Sequence, residues 1–173
     1  GRTLLSELIV SVPSPFEEIS SLEVARAFGA DLLLLNLFDV DHPLINGLPV
    51  KEGPEVVQQA KRLTGRPIGV NLEPVDPDPS MMEKQTSISA GRTLNPHSVQ
   101  KLKELGFDFV CLTGNPKTGV TNDAIIRGIH LVRETLGDEL LIIAGKMHAA
   151  GTSEGWVQEE LLEAADRFVK AGA

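Results

Sequence analysis

The amino-acid sequence predicts an α/β protein with a parallel sheet, on three observations. Short apolar runs alternate with longer stretches whose apolar residues recur at helical spacing. One run, Leu32–Leu37, is interrupted only by Asn36, as expected of a strand covered on both faces. The order helix, glycine, strand also recurs, at Arg26–Asp31 and again at Glu104–Asp108, which is the rhythm of successive strand–helix units.

The elements follow in order. Leu8–Val12 is a β-branched run closed by Pro13 and Pro15, and reads as the first strand. Ser20 or Ser21 can cap a helix carrying Val24, Ala25 and Phe28, with Gly29 at its end. After the second strand at Leu32–Leu37, Pro54 opens a helix striped by Val56, Ala60 and Leu63 and stopped by Gly65. Pro67–Leu72 is the third strand. The long polar segment from Glu73 to Leu94 is unusual in a compact domain and marks a functional or disordered loop, with Met81 and Met82 as a candidate lid. Asn95-Pro96 starts a third helix that turns Val99, Leu102 and Leu105 inward. Phe109–Leu112 is the fourth strand. Thr121–Asp123 then opens a helix with Ile125, Ile129, Val132 and Leu136 on one side. Leu140–Gly145 is the fifth strand, running out in Lys146-Met147-His148. Thr152 or Ser153 is the expected cap of a last helix with Leu161, Leu162, Ala165, Phe168 and Val169.

Repeated strand–helix units joined by short connections suit a (β/α)8 barrel of the TIM type, of which residues 1–173 would supply the first five units in a single domain. The alternative is an open doubly wound sheet. Val169–Ala173 repeats the helix-and-glycine pattern with no strand after it. Since eight units need about 250 residues, the chain is expected to stop before a sixth strand.

Composition narrows the function. A net charge of −8 offers no basic patch for nucleic acid or an anionic membrane. A single cysteine, Cys111, lies in an apolar run and points to a reducing, cytoplasmic setting. The partner expected is a small-molecule substrate, with a homo-oligomer allowed.

Parallel α/β sheets bind ligands at the carboxyl ends of their strands, so the polar residues there are the candidates. Asn36 and Asn71 sit inside apolar runs, and burying an amide without a partner costs about 1–3 kcal/mol. With Thr113 and Asn115 they are expected to orient a substrate. Lys146 follows the fifth strand and could neutralise an anion or form a Schiff base. Glu73, held extended by Pro74, and His148 are the candidate proton carriers. Asp39 and Asp41 share a face if the strand continues, a spacing that suits Mg2+, with His42 beside them; Asp-rich turns have the same composition. The loop Asn115–Thr121 ahead of a helix reads as an anion site or a plain capped turn. His97 and His130 carry no special signal.

These stretches, in particular NLFDVDHP at Asn36–Pro43, GVNLEP at Gly69–Pro74, TGNPKTGVT at Thr113–Thr121 and GKMHAAG at Gly145–Gly151, resemble an uncharacterised bacterial TIM-barrel family labelled phosphoenolpyruvate phosphonomutase-like. A looser likeness, through the GVN strand, is to barrel proteins linked to photosystem I biogenesis. The resemblance implies a barrel, a ligand at its mouth and a small metabolite. The acidic metal-binding pair and the catalytic Lys-and-Cys or Glu-Asp-Lys loop of the phosphonomutase and isocitrate lyase group have no counterpart here, so no catalytic residue carries over. The expected function is lyase or phosphonomutase-like chemistry at a C–C or C–P bond of a small, optionally phosphorylated, carbonyl or carboxylate metabolite. The alternative is a non-catalytic metabolite-binding or assembly barrel.

Overall fold

Five parallel strands lie side by side in sequence order: β1 (Leu5–Ile9), β2 (Leu32–Asn36), β3 (Ile68–Leu72), β4 (Phe109–Leu112) and β5 (Leu141–Ala144). A computed structural model describes residues 1–16, 18–146, 148–154 and 157–173. Met147, which falls in the expected end of the last strand, lies outside them. The helices between and after the strands are α1 (Ser21–Ala27), α2 (Val56–Thr64), α3 (Pro96–Leu105), α4 (Asn122–Leu136) and α5 (Gln158–Ala171). A doubly wound sheet reverses its strand order at a switch point. This order has no reversal, so the winding is that of a partial (β/α) barrel and the open-sheet alternative is set aside.

Alternation along each strand divides the residues between two faces. Leu33, Leu35, Ile68, Val70, Val110 and Ile142 are buried in the core. Glu7, Leu34, Asn71, Cys111 and Ile143 line the opposite, concave side. Leu34 pairs with Gly69, which pairs with Phe109, and a Cβ built on Gly69 would lie 2.1 Å from the Phe109 ring. The missing side chain at Gly69 is therefore the space the ring occupies.

Local signals fix most helix ends. Ser20 caps α1 in a capping box with Glu23, and Asn95 caps α3 with Pro96 following it. The Thr121 hydroxyl accepts from the Ala124 amide at the start of α4. Gly65 and Gly106 end α2 and α3 in the left-handed conformation.

Four expectations need correction. The first strand is Leu5–Ile9, not Leu8–Val12, because pairing with β2 runs from Leu5↔Leu32 to Ile9↔Asn36; the ladder outweighed β-branched composition. The last helix starts at Gln158 with no side-chain cap, while the Thr152 hydroxyl donates to the Ala149 carbonyl in a turn. On α5, Ala164 and Phe168 are buried, whereas Leu162 is 64% exposed and Leu161 and Val169 are also exposed. On α2, similarly, the buried stripe takes in Thr64 and leaves Leu63 exposed.

The long segment after β3 is built into the fold. Glu73 bridges to Thr93, a 3-10 turn forms at Ala90–Arg92, and Met81 bridges to Thr152. The Thr86 amide donates to the Lys117 carbonyl at 2.7 Å, and the Met82 amide to that of Gly151 at 2.9 Å. The segment thus straps the loops that follow β4 and β5. No helix among the described residues is long and apolar enough to cross a membrane.

Candidate functional site

At the carboxyl ends of the strands is a cavity of about 350 Å3, lined by Asn36, Asn71, Thr113, Asn115, Lys146 and His148. These six expected site residues come from four separate strand ends. Parallel pairing brings them to one end of the sheet, since all five strands run the same way. Glu7 from β1 and Cys111 from β4 complete the lining.

Internal hydrogen bonds polarise several of these side chains. Asn71, 5% exposed, donates its Nδ2 to Glu7 Oε1 at 2.7 Å, and its Oδ1 is a buried acceptor with no partner among the described residues. Asn36 is the reverse case: its Oδ1 accepts from the Leu37 amide at 2.8 Å, leaving the amide nitrogen as the unspent end. His148 Nδ1 accepts from the Ala150 amide at 3.0 Å, which fixes the tautomer with the proton on Nε2. Lys146, its side chain 6% exposed, donates to the Val120 carbonyl at 2.7 Å and to Glu154 Oε2 at 3.0 Å. Burial, and behind it the Glu7 carboxylate, pushes the Cys111 thiol up to about 12, so it stays protonated in the cavity wall.

Glu73 does not line the cavity. It is 1% exposed and fully engaged behind it. Oε1 accepts from Arg92 at 2.9 Å and from Asn115 Nδ2 at 2.8 Å, and Oε2 accepts from the Asn115 amide at 2.8 Å. A side chain read as a proton carrier is thus the anchor that presents Asn115.

Asp39 and Asp41 also lie outside the lining, with separate partners. Asp39 accepts from the Asp41 and His42 amides and from the Ser89 hydroxyl. Gly91 is its close neighbour, with room for no side chain: a Cβ there would lie 1.9 Å from Asp39 Oδ1. Asp41 pairs with His97 at 2.7 Å. Among the described residues no group of three or more His, Cys, Asp or Glu is arranged to hold a metal. The two carboxylates are satisfied as turn and ion-pair groups, a donor set that does not fit Mg2+.

The loop Asn115–Thr121 meets an anion, but the protein supplies it. Glu154 Oε2 accepts from the Asn122 amide at 2.8 Å and so occupies the positive end of α4. The backbone around the site is strained at three non-glycine residues: Leu37, Lys117 and Ala150 have φ of 58°, 64° and 51°. They follow β2, β4 and β5, and each costs about 1–3 kcal/mol.

Three residues of the site were missed in the sequence. Glu7 carried a signal, a lone acidic residue alternating within Leu5–Ile9, hidden by the misplaced strand. Arg92 and Glu154 carried none, because their roles arise from contacts 19 and 8 residues away.

A parallel sheet wound in sequence order with a polar cavity at its strand ends defines a TIM-type (β/α) barrel protein, with five strands among the described residues. Across residues 1–173 the chain matches the family described as a domain of unknown function, DUF7916, and it belongs to that family. No protein of curated function matches its sequence. Among solved structures it is similar to 2,3-dimethylmalate lyase, a PEP mutase/isocitrate lyase superfamily member, with 12% identity and a TM-score of 0.53, covering 99% of this chain and 56% of that one. Two proteins of Burkholderia cenocepacia J2315 are also similar: a proposed phosphonomutase (19%, TM-score 0.54, 99% and 66%) and a proposed lyase/mutase (13%, 0.55, 99% and 58%). The chain thus spans 56% to 66% of the length of these three structures. At such identities the likeness is one of fold, that of TIM-barrel lyases and mutases.

Proposed function

We propose that the cavity binds a small carbonyl or carboxylate metabolite and that the barrel acts on it as a lyase or mutase. The unpartnered Asn71 Oδ1 carries this reading. An unpaired buried acceptor costs about 1–3 kcal/mol, and a ligand that donates to it recovers that cost. Strain after three of the strands supports a site in the same region. The lyase and the proposed mutases that share this fold supply the reaction class by analogy only.

In this reading Lys146, paired with Glu154, is a fixed positive charge for a carboxylate or developing oxyanion. His148 Nε2–H is a hydrogen-bond donor to the ligand's oxygen. Asn36, Thr113 and Asn115 orient the ligand, and Glu73 positions Asn115 rather than moving protons. A Schiff base on Lys146 requires the amine to leave Glu154; borohydride treatment in the presence of pyruvate tests that version by mass spectrometry.

The main test is thermal stabilisation and 1H NMR turnover with a panel of two- to four-carbon oxo, hydroxy and amino acids. At least one acid should raise Tm and be consumed, and Asn71→Leu should abolish both effects in a folded protein. Stabilisation without turnover identifies a binding barrel instead. If no acid raises Tm, the reading is wrong.

A further inference from the structure

The charges around the cavity do not suit a ligand that is anionic throughout, and they indicate more about it. Lys146 already has a carboxylate partner in Glu154, and the positive end of α4 is taken by the same group. Glu7 has no cationic partner among the described residues: its one hydrogen bond is from Asn71. The cavity therefore carries one uncompensated negative charge, in a chain of net charge −8. A phosphorylated or multiply charged acid would enter against that field.

The unspent hydrogen-bonding groups are unevenly distributed. On the β1–β3 side the acceptors are the Glu7 carboxylate and Asn71 Oδ1, because the Asn71 donor is already used on Glu7, with Asn36 Nδ2 as a neutral donor between them. Toward β5 the unspent groups are donors, the remaining Lys146 N–H and His148 Nε2–H, because the His148 acceptor is already used on Ala150. Strands β3 and β5 are two spacings apart, about 10 Å at the backbone, which side chains shorten to the span of a small molecule.

We propose that the ligand is a small zwitterion, an amino acid or short amino carboxylate, with its ammonium on Glu7 and Asn71 and its carboxylate on Lys146 and His148. This rests on the reading of the cavity as a small-acid site and narrows it. An ammonium has three donors and no acceptor, so it can satisfy Glu7 and the orphaned Asn71 oxygen together. A hydroxyl brings one donor and no charge. Asn71 Oδ1 is closed off from solvent, so seating the ammonium requires the Glu7–Asn71 pair to shift.

The experiment compares amino, hydroxy and unsubstituted acids on matched skeletons: glycine, glycolate and acetate; alanine, lactate and propionate; aspartate, malate and succinate. Dissociation constants are measured by calorimetry on the wild-type chain and on Glu7→Gln, a change at an exposed residue. On the skeleton that binds, the amino acid should bind at least tenfold more tightly than its hydroxy and unsubstituted counterparts. Glu7→Gln should shrink that preference to about twofold, while Lys146→Met weakens all three acids alike. Equal or tighter binding of a hydroxy or unsubstituted acid overturns this proposal and leaves the small-acid reading standing, as does a preference unchanged in Glu7→Gln. Binding by none of the nine acids overturns both.

Discussion

The chemistry of individual residues here is decided by which of their atoms the protein has already used. Asn36 and Asn71 are the same residue type at corresponding strand ends, yet one is left a donor and the other an acceptor. Glu73 would be an acid–base candidate by type alone. With Arg92 and both Asn115 nitrogens on its oxygens it is a structural anion. Removing one partner of a buried ion pair costs about 3–5 kcal/mol, so Arg92→Met should lower unfolding stability by that order in urea titrations. A change under about 1 kcal/mol would show that Asn115 alone holds Glu73. Cys111 gives a second prediction. With its thiol pushed up to about 12, chiefly by burial, it should resist a thiol reagent at pH 8 in the native chain and react at once in denaturant. Because Glu7 is the lesser cause, Glu7→Gln should leave that protection largely intact.

At the scale of elements, signals confined to a few neighbouring residues translated directly into structure. The Asn95-Pro96 start of α3 is an example: Asn95 Oδ1 accepts from the Ser98 amide at 2.9 Å, and its Nδ2 donates to the Ala90 and Thr93 carbonyls. Asn95→Ala should therefore cost about 1–2 kcal/mol, toward the upper figure because the same side chain also ties the 3-10 turn to the helix. Chemical denaturation measures it, and an unchanged midpoint would mean the turn is held by Glu73 and Thr93 without it. Elements were misread where a partner decided them. The first strand moved to Leu5–Ile9 under its pairing with β2, and α5 buries Ala164 and Phe168 while its more apolar Leu161 and Leu162 stay exposed. The Arg133 guanidinium donates to the Gly172 carbonyl at 2.7 Å, tying the end of α5 to α4, a contact no helical periodicity encodes.

For the molecule as a whole, two carboxylates link stability to pH. Burial pushes Asp39 up, but the Ser89 hydroxyl and the Asp41 and His42 amides outweigh it, holding the carboxyl below its usual 3.8. Asp76 is likewise raised by burial and lowered further by Thr121, Asp78 and Arg127, to a net position below 3.8. A depressed folded-state value means the stabilisation is whole above the unfolded value and is lost as pH falls through the folded one. The urea midpoint should thus hold down to about pH 4 and then drop. The Asp39→Asn, Asp76→Asn double variant should show a shallower acid limb; an identical limb would place the acid sensitivity elsewhere. Both groups lie on connections between strands and helices, so acid loosens the loops around the cavity before it reaches the sheet.

The sequence alone determined the class of fold, the alternation of strand and helix, most helix caps and the end of the sheet where polar residues gather. Those features depend on hydrophobic period and on contacts within one turn of the chain. Tertiary structure decided the strand order that makes this a barrel winding. It removed Glu73, Asp39 and Asp41 from the cavity lining and brought Glu7 into it, and it gave Lys146 its carboxylate partner. A residue's type states which hydrogen bonds it can make. Only the folded chain, through partners from one to 64 residues away, determines which of them remain free for a ligand.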